Sequence, residues 1–230
     1  MIRVDRITPE SRVRAVWTDF DGVVTPPVDL ALAEVSRRVG RGLTPDLLRS
    51  AMEAVGRSMG TDAMAPLDTP LLTEEQWARQ VEQVLLERHE LRVDLSDFGG
   101  KWFADRPADE HWVEFLMALR RSGFFVGLLS NTPPAWERHW RRLVAADLLF
   151  DAVVSSHQVR CRKPEAAIFD LAAARAGLAP DQCVLVDDQE VHCEGARAAG
   201  WHAVHFTDVP RAASALNELL SRQPVRSVVR

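Results

Sequence analysis

The chain alternates short apolar runs with amphipathic helical patterns, and most of the apolar runs end in polar residues. The runs are Val13–Trp17, Phe124–Leu129, Phe150–Ser155, Cys183–Val186 and Trp201–Phe206. Their lengths and bounding turn residues predict strands buried on both faces. Helical spacing of apolar residues falls between them, over Ala108–Ser122, Pro134–Val144, Pro164–Ala176, Glu190–Ala199 and Val209–Leu220. Gly123, Gly177 and Gly200 follow three of these patterns, where a helix commonly ends. Strand, helix, strand, helix in this order predicts an α/β fold: a parallel sheet with helices on both faces.

One segment breaks the alternation. From Pro26 to about Pro107 no strand pattern occurs, and helical patterns take over. Val28–Val39 has helical spacing; Thr44-Pro45-Asp46 supplies an N-cap and a first-turn proline for Leu47–Met59. Thr73-Glu74-Glu75-Gln76 reads as a capping box before Trp77–His89. A further helical piece is expected within Asp94–Trp102, with loops at Gly60–Pro70 and Gly99-Gly100. The expected organisation is therefore an α/β core of residues 1–25 and 108–230 with a helical insertion at 26–107. Residues 221–230 are expected to fray.

The first strand runs into Thr18-Asp19-Phe20-Asp21-Gly22. Residues two apart on an extended chain point the same way, so Asp19 and Asp21 can face one site, and Gly22 lets the chain turn away. Two adjacent acids repel unless a cation or a shared proton relieves them. A polar turn after a strand is the plain alternative for this tetrad. Other strands end in Ser130-Asn131, in the loop through Lys163, and in Asp187-Asp188. Ligands of an open parallel sheet bind at the carboxyl ends of the strands, so these clusters converge on one edge. Carboxylates, a hydroxyl, an amide and one lysine suit Mg²⁺ together with a phosphate.

The net charge of −5 gives no general electrostatic reason to hold nucleic acid or an anionic membrane. Met1–Arg14 does not read as a secretory signal, no apolar run has membrane-spanning length, and Cys161, Cys183 and Cys193 lack metal-type spacing. A cytoplasmic protein with reduced thiols is expected. Tyrosine is absent, which excludes phenol chemistry.

Four segments in order resemble the motifs of the haloacid dehalogenase-like hydrolase superfamily, in its phosphatase branch: Asp19–Thr25; Leu128-Leu129-Ser130-Asn131; Arg162-Lys163-Pro164-Glu165; and Val184–Asp188 with Glu194–Gly200. The resemblance implies a Rossmann-like three-layer core with an inserted helical cap. It implies Mg²⁺ and hydrolysis of a small phosphorylated metabolite through an aspartyl-phosphate, by a monomer or homodimer. By position, Asp19 would be nucleophile and metal ligand. Asp21 would be general acid/base and give its carbonyl to the metal. Ser130 and Lys163 would bind the phosphoryl group with Asn131 and Gly22 beside them. Asp188, and Asp187 directly or through water, would complete the metal site. An acid at Asp21 favours phosphate chemistry over dehalogenation. A phosphomutase, a 2-haloacid dehalogenase and a non-catalytic binding protein are the alternatives. His192 stands where relatives often carry Asn; a substitute donor and an exposed helix histidine are both open readings. Arg41, Arg57 and Arg106 are surface charges by default, and Trp102 falls near the return from the insertion.

Overall fold

The computed structural model describes residues 12–221. The predicted N-terminal character and the predicted tail beyond Ser221 lie largely outside that range. Five strands form one parallel sheet: β1 (Ala15–Thr18), β2 (Phe125–Ser130), β3 (Ala152–Ser155), β4 (Cys183–Asp187) and β5 (His202–His205). Their order is β3-β2-β1-β4-β5, with every neighbouring pair parallel. β1 is central, flanked by β2 and β4, which is why its residues are buried throughout.

Between β1 and β2 lie α1 (Val28–Val39), α2 (Pro45–Ser58), α3 (Ala65–Asp68), α4 (Glu74–His89) and α5 (Phe98–Phe103), followed by α6 (Glu110–Arg121). After β2 come a short 3₁₀ turn at Pro134–Trp136, α7 (Glu137–Val144) and α8 (Ala146–Leu149). α9 (Ser156–Val159) and α10 (Ala166–Ala176) separate β3 from β4; α11 (Glu190–Ala198) and α12 (Val209–Ser221) flank β5. Among the described residues the segment 26–107 contains no strand.

The period-two pleat divides the core in two. Val16, Val126, Leu128, Val184 and Val186 face one side, where they pack with α6 and α12 residues such as Trp112, Phe115 and Leu216. Ala15, Trp17, Leu129, Cys183 and Leu185 face the other, against Ile168, Phe169, Ala172 and Ala196 of α10 and α11. Gly127 pairs with Trp17 across the ladder, and a Cβ there would lie 2.3 Å from the Trp17 ring, so glycine makes room for that indole. Apolar residues of the 28–103 helices, including Leu32, Val35, Leu48, Trp77 and Val81, belong to the first cluster. Phe20, Phe98, Trp102, Phe103, Trp136 and Trp140 connect them to it as a chain of ring contacts.

Local signals set several boundaries. Thr44 Oγ1 accepts the Leu47 N–H at 3.3 Å, and the Thr73–Gln76 capping box is complete. Several details differ from the sequence expectation. The Gly60–Pro70 loop contains α3, whose first turn is held by Asp62 Oδ1 accepting from the Met64 and Ala65 N–H groups at 3.0 Å. Gly99 and Gly100 lie inside α5, with Glu74 taking the Gly99 N–H at 3.0 Å. That helix starts only at Phe98, because Asp94 folds back onto the Ser96 N–H and Asp97 adopts φ +47°. α10 begins at Ala166, leaving Pro164 in the preceding loop. α8 and α9 are single turns too short to leave a periodic signature.

Candidate active site

The strand order reverses between β1 and β4, which opens a crevice at their carboxyl ends. Asp19 follows β1, Ser130 ends β2 and Asp187 ends β4. Parallel register brings these three ends level: Thr18 is opposite Leu128 and Val186.

Lys163 enters this group from the loop between α9 and α10 and is fully buried. Its Nζ lies 3.0 Å from Asp19 Oδ1 and 2.5 Å from Asp187 Oδ2. Asn131 fixes the lysine main chain from both sides: its Nδ2 donates to the Lys163 carbonyl at 3.0 Å, and the Lys163 N–H donates to Asn131 Oδ1 at 2.9 Å. The second oxygen of Asp187, Oδ1, accepts from the Gln189 N–H at 2.9 Å and from His192 Nδ1 at 3.0 Å. His192 is 5% exposed, so the exposed-histidine reading is wrong. α11 turns this residue inward onto Asp187, as an aligned donor.

Electrostatics distinguish the carboxylates. Burial alone would raise Asp187, but the Lys163 ammonium and the His192 hydrogen bond outweigh it and hold its carboxyl well below the usual range. Lys163 is likewise pushed up, because Asp187 and Asp19 overcome its burial. Asp19 moves the other way, to about 6: burial dominates, Lys163 opposes it, and the Asp187 charge adds to it. Asp188 is raised to about 7 by burial and then by the charges of Asp19 and Asp187. Its carboxylate lies over the Gly22 backbone, where a Cβ would fall 2.1 Å from Asp188 Oδ2. Gly22 itself has φ +81°, a conformation that suits glycine.

Asp21 is held by one oxygen. Its Oδ1 accepts from Arg106 Nη1 at 2.5 Å, from Thr25 Oγ1 at 3.3 Å and from Trp102 Nε1 at 3.4 Å. Arg106 is 7% exposed, which corrects its reading as a surface charge. Nothing in the sequence connects it to an acid 85 positions earlier; only the return of the chain after α5 does so. Arg57 keeps its surface role beside Glu53.

These groups open onto a cavity of about 450 Å³. Asp19, Asp21, Asn131 and Lys163 line it; Gly22, Ser130, Asp187 and Asp188 do not. The rest of its wall comes from Val28, Leu32 and Met52 of the 28–103 helices, from Trp102 and Trp136, and from Arg162. Arg162 joins the two parts of the wall. Its Nη2 contacts Asp68 Oδ2 at 3.0 Å and its Nη1 pairs with Asp62. Asp68 is almost fully buried, and burial pushes its carboxyl up to about 7 against the pull of Arg162. Neither Asp68 nor Asp62 carries a signal in the sequence.

The residues fit a hard divalent cation at one place and not at another. Asp19, Asp187 and His192 have ligand atoms within 4.8 Å of one another. Lys163 and His192 already saturate Asp187, so that group serves an ammonium ion. On the other side, Asp188 Oδ1 is buried without a hydrogen-bond partner, and burial and then the Asp19 charge raise the proton affinity of Asp188. An oxygen-ligand cation between them relieves both costs.

A larger groove, of about 590 Å³, lies at the opposite end of β2 against Gly123, Phe124 and Leu148, and holds no comparable set of acids. Among the described residues no helix is long and apolar enough to cross a membrane.

Known proteins are similar to this chain in sequence and in fold. The phosphoglycolate phosphatase of Salmonella choleraesuis is 27% identical over 204 residues, covering 73% of this chain and 81% of its own length. An aspartate-to-alanine variant of a HAD family enzyme from Bacteroides thetaiotaomicron, solved with magnesium and inorganic phosphate, superimposes with a TM-score of 0.60 at 18% identity, covering 85% of this chain and 94% of that one. The L-2-haloacid dehalogenase of Xanthobacter autotrophicus gives 0.63 at 16% identity, over 92% and 90%. The description haloacid dehalogenase-like hydrolase matches residues 13–200. With that match spanning β1 to β4 and the whole acid–lysine crevice, the chain belongs to the haloacid dehalogenase-like hydrolase family.

Proposed function

We propose that this protein is a Mg²⁺-dependent phosphatase that hydrolyses a small phosphate monoester through an aspartyl-phosphate. The observation that carries the reading is Lys163, a buried ammonium 3.0 Å from the Asp19 carboxylate and open to a cavity that Asp21 also lines. Asp19 serves as nucleophile: a carboxylate oxygen bonds to phosphorus as the ester bond breaks. Asp21 protonates the departing alkoxide and then takes a proton from the water that releases phosphate. Lys163 neutralises phosphoryl charge and Ser130 helps to orient the phosphoryl oxygens, with Gly22 at the turn beneath them. Asn131 keeps Lys163 in place through its two main-chain hydrogen bonds. Asp19, Asp188 and the Asp21 carbonyl would hold the metal. Asp187, with both oxygens engaged, would reach it through water. Bound Mg²⁺ supplies the positive charge that lets a carboxylate approach a phosphate dianion.

Residues 26–107 act in this reading as a cap over the core formed by 1–25 and 108–230, with hinges near Thr25–Pro27 and Arg106–Ala108. The cap excludes water and selects the leaving group. The substrate is a small phosphorylated metabolite, and neither nucleic acid nor membrane is a partner. The phosphatase relative supports the reaction class. The dehalogenase likeness favours a second reading, removal of halide from a 2-haloacid. Asp21 speaks against it, since halide leaves without a proton. Hydrolysis of p-nitrophenyl phosphate, with and without Mg²⁺, tests the proposal. Activity should require the metal and disappear in Asp19→Asn. Chloride release from a 2-haloacid, with no phosphate ester cleaved, would overturn it.

A further inference from the structure

Asp21 is bound asymmetrically. All three of its side-chain hydrogen bonds, from Arg106, Thr25 and Trp102, fall on Oδ1. No described donor meets Oδ2, and the residue lines the cavity. The strongest donor is unusual in its own setting. Arg106 sits on the segment that returns from α5 towards α6, yet it is only 7% exposed. Its Nη2 donates to the carbonyl of Pro26 on the outgoing segment, so one guanidinium ties both chain crossings and the acid together. The Trp102 ring lies 5.3 Å from its centre and limits its swing. Its Nε is buried without a partner, a cost that packing by itself does not require.

We infer that Arg106 is a positioning residue for proton transfer: by pinning Asp21 Oδ1 it presents Oδ2 to the leaving group, and by bridging Pro26 it ties that presentation to the placement of the helical segment. This rests on the phosphatase reading. In the first step Asp19 bonds to phosphorus, the ester P–O bond breaks, and the departing oxygen takes its proton from Asp21 Oδ2. In the second, a water proton returns to Asp21 as the water oxygen bonds to phosphorus and the Asp19–phosphorus bond breaks. A carboxylate free to rotate about its last torsion presents the wrong oxygen for part of the time. A bidentate-capable guanidinium fixed at both ends removes that freedom, whereas the point charge of a lysine cannot.

The test is a series of aryl phosphates of similar size, from p-nitrophenyl to phenyl to p-methoxyphenyl phosphate, assayed with Mg²⁺. p-Nitrophenolate leaves without a proton and the others need one. kcat/KM reports the first step, in which the leaving group departs. In Arg106→Gln it should fall about 10²-fold on phenyl phosphate and less than about 10-fold on p-nitrophenyl phosphate, with KM little changed. Arg106→Lys should show the same leaving-group bias, about half as large on a logarithmic scale; it is the variant to read if the glutamine form melts below the assay temperature. Adding Arg106→Gln to Asp21→Asn should cost nothing further on phenyl phosphate. Equal losses across the series, or a change in KM alone, would make Arg106 structural and overturn the inference while leaving the phosphatase reading intact. Wild-type protein that cleaves no member of the series would end both.

Discussion

Asp187→Asn removes one charge from the most enclosed ion cluster among the described residues. Asp187 and Lys163 have fully buried side chains 2.5 Å apart. Deleting one partner of such a pair leaves the other charge without compensation, at about 3–5 kcal/mol. Asp19 remains 3.0 Å from the ammonium, which places the expected loss at the lower end, about 3 kcal/mol. For a chain of this size that corresponds to a fall in Tm of about 6–12 °C. The depressed Asp187 carboxyl contributes stability above its unfolded pKa and loses it only as the solution is acidified through its folded value. The full effect is therefore present at pH 7. Urea unfolding in EDTA, which removes stabilisation by metal binding, measures it. Lys163→Met should also destabilise, and Lys163→Met/Asp187→Asn should lose about 2 kcal/mol less than the sum of the singles, because no ammonium is then stranded. An Asp187→Asn loss below about 1 kcal/mol, or strict additivity in the double variant, would refute the assignment of Asp187 as the lysine's principal counter-ion.

Two further outcomes are expected. Asp68 has a folded pKa raised to about 7, so its burial is tolerated at low pH and costs stability as pH rises from its unfolded value through about 7. Wild type should lose on the order of 2 kcal/mol between pH 5 and pH 8 that Asp68→Asn does not, read as the difference in their urea midpoints. Gly22→Ala would set a Cβ 2.1 Å from Asp188 Oδ2 at φ +81°. It should cost about 1–2 kcal/mol in unfolding and abolish Mg²⁺-dependent p-nitrophenyl phosphate hydrolysis. Unaltered hydrolysis would show that Asp188 can leave that position without consequence.

The sheet and the ring of strand ends were legible because their physics is local or repetitive. The run Cys183–Val186 is apolar throughout since both faces are covered, and its length and the polar cluster that follows it record this in the sequence. Capping signals at Thr44 and Thr73 fixed helix starts for the same reason, as each is satisfied within three residues. Asp19, Asp21, Asn131 and Lys163 could be named in advance, because a parallel sheet has one ligand-binding edge and they stand at it.

Partnership between distant segments was another matter. That Lys163 lies between Asp19 and Asp187, that His192 turns inward, and that Arg106 pairs with Asp21 depend on how β4, α11 and the return from α5 close on β1. The sequence alone determined which groups are offered at the carboxyl edge, because pattern and position along a strand are properties of neighbours. Only the tertiary structure decided which ion meets which, and so which acid is held ionised and which is pushed towards its proton: burial and Coulomb fields depend on distance in space, and residues 85 positions apart have none until the chain folds.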